Sequence, residues 1–157
     1  MTEVAVYQEE PKFYEDFEIG ESRVTAGRTI TEADIIMHAM HSGDWMPHHT
    51  DAEWCKTQPF KEPIAHGNAT FSISTGLTIQ GEPLNPHGMS YGYNKIRYPT
   101  PVFAGDTIQV EVKVISKQDH PKSPDHGIII EAKTTTNQKG EVVCYAEHVL
   151  YVEKKGS

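Results

Sequence analysis

An α+β fold is what the 157-residue sequence predicts, on three observations. Helical patterns fall in the first half, four long strand-like runs fill the chain from Met89 onward, and no internal repeat appears. Glu21 to Ile30 follows a glycine and carries Val24, Thr25, Thr29 and Ile30, which favours a first strand. Thr31-Glu32-Ala33-Asp34 then reads as an N-cap with acids in the first helical turn, opening a helix through Met40. Thr50 to Thr57 reads as a short helix, with Asp51 and Glu53 in its first turn and Trp54 as its core anchor. Pro59 to Pro63 breaks it, leaving Phe60 as a wall or lid residue. From Phe71 to Ile79 apolar residues alternate with Ser72, Ser74, Gly76 and Thr78, a period of two that taken alone gives a strand. Ala69, Ile73 and Leu77 equally fit helical spacing. Gly81 to His87 is a loop. Strands are expected over Met89–Tyr98, Thr107–Lys117, Gly127–Asn137 and Val142–Glu153. Of these Thr107–Lys117 is the clearest, with Ile108, Val110, Val112 and Val114 alternating against Gln109, Glu111 and Lys113. Asn137 to Gly140 makes the last hairpin turn.

The chemistry concentrates in Ser42 to Asp51 and in Pro63 to Asn68. Asp44 and His49 are close in sequence with Pro47 bending the chain between them, so a turn brings a carboxylate and an imidazole to one small volume. Such a pair can share one water and move its protons. Gly67, with no side chain, lets an acyl oxygen approach its backbone N–H, and a helix beginning there adds a dipole that favours developing negative charge. By itself, Asp-x-x-Pro is also an ordinary turn sequence.

Gly43-Asp44-Trp45-Met46-Pro47-His48-His49-Thr50-Asp51, then Phe60 and Pro63-Ile64-Ala65-His66-Gly67, resembles the two-part signature of the MaoC-like, or R-specific enoyl-CoA hydratase, family. That pattern runs Gly-Asp-x-Asn-Pro-x-His-x-Asp, a spacer, Phe, then Ile-Ala/Val-His-Gly at the mouth of a long helix. Phe17 to Glu21, Arg28 to Asp34 and Pro101 to Thr107 resemble further family segments, and the likeness covers about Phe13 to Val152. The family spacing selects His49 over the adjacent His48. Met46 stands where the family usually has Asn.

The resemblance implies a hot-dog fold: a curved antiparallel sheet wrapped around a long central helix, with a short helical overhang carrying the motif. It turns the segment after Gly67 into that helix. A single domain over 13–153 is expected, flanked by an N-terminal arm over 1–12, whose Val4, Val6 and Tyr7 suit docking on a partner subunit, and a tail over 154–157. The implied activity is reversible hydration of a trans-2-enoyl-CoA, or acyl-carrier thioester, to the 3-hydroxyacyl thioester. Asp44 and His49 are expected to hold the water and Gly67 N–H the thioester carbonyl. His66, Asn68, Met46, Tyr91, Lys95 and Arg97 are the expected substrate-binding residues, and Lys56 and Lys61 are further cations for the phosphates of coenzyme A. Tyr91, Tyr93 and Tyr98 suit the lining of an acyl or pantetheine tunnel, but aromatics in strands more often serve ordinary sheet and interface packing. No metal is required, although His38, His41, Asp44, His48, His49 and Asp51 lie close in sequence, and His38 and His41 are read as packing or surface residues. No cofactor is needed beyond the coenzyme A of the substrate, and the fold implies a homodimer. Two alternatives are a hot-dog acyl-CoA thioesterase and a non-catalytic acyl-CoA-binding protein.

A net charge of −8 argues against a nucleic-acid partner, since binding phosphates in bulk needs clustered Lys and Arg. No run of 18 apolar residues and no signal-peptide pattern at Met1-Thr2-Glu3-Val4 is present, so a cytoplasmic protein is expected. Cys55 and Cys144 are expected reduced and packed.

Overall fold

The computed structural model describes residues 11–80 and 85–156. Val4, Val6 and Tyr7 of the arm and the first part of the Gly81–His87 loop lie outside the described residues. Among the described residues six strands form one antiparallel sheet: β1 (Ser22–Val24), β2 (Arg28–Thr29), β3 (Gly88–Arg97), β4 (Thr107–Asp119), β5 (His126–Thr136) and β6 (Val142–Glu153). They run in the order β1-β4-β5-β6-β3, with β2 also paired to β4. Among the described residues a short 3-10 turn (Tyr14–Asp16) and four α-helices precede β3: α1 (Glu32–Ser42), α2 (Pro47–Thr50), α3 (Ala52–Cys55) and α4 (Gly67–Ile79).

The hot-dog arrangement of a sheet with a helix packed on it is found, but the curved wrap is not. The sheet is an open run, with β1 and β3 at its two edges and no pairing between them among the described residues, so it is neither closed nor strongly curled. α4 lies across one face, against β4 and β6. It buries Ala69, Thr70, Ser74, Leu77 and Thr78 and leaves Ser72, Gly76 and Ile79 exposed. A helix enclosed by its sheet has no such exposed side.

The period-two pattern loses to the helix in α4 because its small polar residues are satisfied within the helix. Ser74 Oγ donates to Thr70 O at 2.7 Å, Thr75 Oγ1 to Phe71 O at 3.0 Å and Thr78 Oγ1 to Thr75 O at 2.8 Å. Hydroxyls bonded back to the preceding turn can be buried without loss. The same hydroxyls receive the sheet: Thr135 Oγ1 donates to Ser74 Oγ and Lys133 Nζ to Thr78 Oγ1.

The expected first strand is two short pieces. Thr25 Oγ1 accepts from Val110 N at 3.0 Å while Thr25 N–H donates to Val110 O, so a side chain replaces a ladder carbonyl and pairing lapses before β2 resumes. Trp54 is 38% exposed and is not a core anchor; Cys55, fully buried, holds that place. The single turn of α3, capped by Asp51 Oδ1 on Trp54 N–H, points the following residue inward. Cys55 and Cys144 are both free thiols, and burial pushes the Cys144 thiol up to about 11.

β4 follows its pattern, with Ile108, Val110, Val112 and Val114 buried. The first three join Ile30, Ile35, Ala65, Leu77, Val102 and Val143 in the larger core cluster. Ile108→Ala is expected to lower the unfolding free energy by about 2–5 kcal/mol, read from urea denaturation, because a fully buried side chain leaves a cavity its neighbours fill only partly.

Candidate active site

The overhang is built by a chain of local bonds. Thr31 and Asp34 cap α1 reciprocally, Thr31 Oγ1 accepting from Asp34 N–H and Asp34 Oδ2 from Thr31 N–H at 2.8 Å. The helix ends at Gly43 in the left-handed region, φ 76°, a conformation that costs glycine little. Asp44 follows at once, and its Oδ1 accepts from Met46 N–H at 3.3 Å. Pro47 then starts α2, where a missing N–H is harmless. Two residues later His49 points inward and is 6% exposed, while His48 is only partly buried.

His49 Nδ1 lies 2.7 Å from Ile64 O. A carbonyl only accepts, so Nδ1 carries the proton and Nε2 presents a lone pair. Burial holds the His49 imidazole below the ordinary histidine value, with His66 and His48 acting the same way against the bond to Ile64 O and the charge of Asp44. The second motif arrives through Ile64 N–H on His48 O and Ala65 N–H on Val102 O. His66 is 2% exposed; it stacks on His49 with ring centres 3.7 Å apart, and its Nε2 lies 2.9 Å from Asp44 O. Gly67 opens α4, whose N-cap residue His66 gives no side-chain bond to the first-turn amides, so those donors point outward.

Asp44, His49 and His66 thus converge: one ligand atom from each lies within 4.8 Å of the other two. Any three such atoms have a common point within about 2.8 Å of each, which is the length of a hydrogen bond to water. Two cavities meet here. One, of about 230 Å³, is polar and takes in His38, Ser42, Asp44, His66 and Asn68. The other, of about 390 Å³, is walled by Phe60, Ile64, Pro101, Val102 and Val143. His49, Gly67 and Tyr98 line both. A neutral base, a carboxylate, free helix-start amides and an adjoining apolar cleft together can hold a water beside a polarised carbonyl with an apolar tail.

Of the other residues singled out in the sequence, Asn68 accepts from Tyr98 O–H at 2.9 Å, while the Met46 side chain is 54% exposed and lines neither cavity. Tyr91, Lys95 and Arg97 also line neither. Tyr91 is 65% exposed and rings with His120 and Tyr151; Lys95 pairs with Glu147 at 2.7 Å and Arg97 donates to Ile96 O. Lys56 pairs with Glu53 at 2.6 Å, and Lys61 Nζ donates to Lys56 O. Two residues in the site were read otherwise or left undecided. His38, taken as packing or surface, lines the polar cavity and lies 4.7 Å from the His66 ring. Tyr98 is held there by its bond to Asn68, and the Pro99-Thr100-Pro101 strap after it is the one sequence signal that it stops behaving as a strand residue.

The MaoC like domain family matches residues 16–137. The (R)-specific enoyl-CoA hydratase of Rhodospirillum rubrum is 30% identical over 146 residues, 92% of this chain and 94% of that protein. Protein MaoC of Klebsiella aerogenes is 36% identical over 115 residues, 73% of this chain and 34% of that protein, so the chain spans about a third of its length. The solved structure of a MaoC-like dehydratase from Rhodospirillum rubrum matches with a TM-score of 0.82 at 27% identity, covering 93% of this chain and 99% of that one. No helix among the described residues is long and apolar enough to cross a membrane.

Proposed function

Because the chain belongs to the MaoC-like domain family, we propose that it hydrates trans-2-enoyl-CoA, or the acyl-carrier thioester, reversibly to the (R)-3-hydroxyacyl thioester. The observation that carries the reading is the convergence of Asp44 and His49 at the start of α4, with the bond of Nδ1 to Ile64 O leaving Nε2 of His49 as the acceptor. Water held by this pair adds through its oxygen to the β-carbon as one of its protons passes to His49 Nε2. The pair returns one proton to the α-carbon, so H and OH are both added and no net charge remains. Gly67 N–H, at the positive end of α4, stabilises the enolate-like oxygen that forms on the thioester carbonyl in between. The apolar cleft takes the acyl tail. A homodimer is part of the same reading, since β3 is an edge strand that leaves Met89 and Tyr91 exposed.

The test is loss of enoyl-thioester absorbance with crotonyl-CoA, with free thiol assayed in parallel and the product resolved by chirality. Hydration without thiol release, giving the R product, is expected. Thiol release would identify a thioesterase instead, and tight acyl-CoA binding without turnover a binding protein.

The position of His49 also sets a pH dependence. With its folded pKa below the ordinary 6.5, the base stays neutral as the pH falls through that value and becomes charged only below it. kcat/KM for crotonyl-CoA is therefore expected to stay flat from about pH 8 down past 6.5 before it drops. An acid limb centred at or above 6.5 would contradict this.

A further inference from the structure

We propose that His66 is a third group on the catalytic water, holding the hydrogen that does not react. This rests on the hydration reading above. Its Nε2 is tied to the backbone carbonyl of Asp44 at 2.9 Å, and since a carbonyl only accepts, the proton sits on Nε2 and Nδ1 presents a lone pair. That Nδ1 is buried and has no hydrogen-bond partner among the described residues. An acceptor buried in this way needs a donor, and native sites supply one, commonly an ordered water.

The residue borders the polar cavity with Asp44 and His49, and one ligand atom of each lies within 4.8 Å of the others. On this proposal Nδ1 is the atom of His66 that faces the other two, and a single water reaches all three. A water has two hydrogens, and the three groups divide them by position. One O–H points to His66 Nδ1 and stays there; the other points to the Asp44 and His49 pair, which removes it. With both hydrogens held, a lone pair of the oxygen is left to face the β-carbon. A water held only by Asp44 and His49 would be free to rotate about them, and part of the orientation that speeds the addition would be lost.

His66 also has a structural task through Nε2, so the test separates the two nitrogens. A Gln side chain places an amide N–H near the position of Nε2 and keeps the bond to Asp44 O, without an acceptor at Nδ1. An Asn side chain places its carbonyl oxygen near Nδ1 and cannot reach Asp44 O. His66→Gln is expected to fold with a near-wild-type unfolding midpoint and to lose at least about tenfold in kcat on crotonyl-CoA, with KM little changed. His66→Asn is expected to be less stable but to keep more kcat than His66→Gln. The reverse order, or wild-type kcat in His66→Gln, would leave His66 as scaffold only.

A crystal structure of the wild type at high resolution reads the same point without turnover. An ordered water within hydrogen-bond reach of Asp44, His49 Nε2 and His66 Nδ1 is expected. A water on Asp44 and His49 alone, or none, would overturn the inference. If the wild type hydrates no enoyl thioester, the hydration reading fails, and the position of that water still decides the placement proposed for His66.

Discussion

Asp44→Asn is expected to lower kcat for crotonyl-CoA hydration by at least about a hundredfold while leaving the fold in place. The substitution is nearly isosteric, and the amide oxygen of Asn can still accept from Met46 N–H, the bond that Asp44 Oδ1 makes at 3.3 Å. What is lost is the negative charge and the ability to take a proton. His49→Asn is the matching change on the other side of the water. An Asn amide N–H lies near the position of Nδ1 and can still donate to Ile64 O, replacing the 2.7 Å bond, while the acceptor at Nε2 disappears. A loss of at least about a hundredfold is expected here too. The double variant is expected to be hardly slower than either single one, because the two groups act on the same proton and removing one disables the other. Wild-type turnover in both single variants, with folding verified, would remove the pair from the mechanism.

How much of this was legible in the sequence depends on the range of the interaction. Features decided within one turn or one strand were readable: the reciprocal Thr31 and Asp34 cap, the alternation of β4, and the turn in which Asn137 Oδ1 accepts from Lys139 and Glu141 N–H. Features decided by a distant partner were not. The segment after Gly67 alternates like a strand, and only the resemblance, now matched by hydroxyls bonded along the helix, makes it α4. The first strand reads as continuous until the Thr25 hydroxyl is seen taking Val110 N–H from β4. Trp54 has the size of a core residue, but whether one turn of helix points residue 54 or residue 55 inward is a rotation that composition does not encode. The site divides in the same way. Asp44 and His49 share one turn, and spacing and motif together single them out. The stacking of His66 on His49, the approach of His38, and the seat of Tyr98 on α4 depend on how overhang, helix and strap pack. Lys95 and Arg97 were chosen by sequence proximity to the motif, yet on β3 they occupy a strand whose charges answer to its neighbour, as Lys95 does to Glu147.

Gly67→Ala is expected to cost about 1–3 kcal/mol of stability and to lower kcat at least about tenfold, for a reason that lies in Tyr98 rather than in the backbone. The φ of Gly67 is not in the left-handed region, and alanine suits a helix better than glycine does, so the main chain itself accepts the change. A Cβ there, however, would lie 2.5 Å from Tyr98 Cδ2, 2.6 Å from Cε2 and 2.9 Å from Cγ. These are contacts to the root and edge of a ring, which cannot yield as the tip of a flexible chain does. The phenol is bonded to Asn68 Oδ1 at 2.9 Å, and the strap behind it is pinned where Ala65 N–H donates to Val102 O at 2.7 Å. Either the ring is expelled from the junction of the two cavities or the first turn of α4 shifts, and both disturb the amide on which the carbonyl rests. A double-mutant cycle with Tyr98→Ala separates these outcomes. With the ring gone, Gly67→Ala is expected to cost almost no stability, giving a coupling of about 1–3 kcal/mol. An equal cost in both backgrounds would mean that the ring is not the obstacle. If stability returns in the double variant and kcat returns with it, relative to Tyr98→Ala alone, the amide had only been displaced. If stability returns and kcat does not, the added methyl itself blocks the acyl oxygen, and the bare face of Gly67 is required for the reaction.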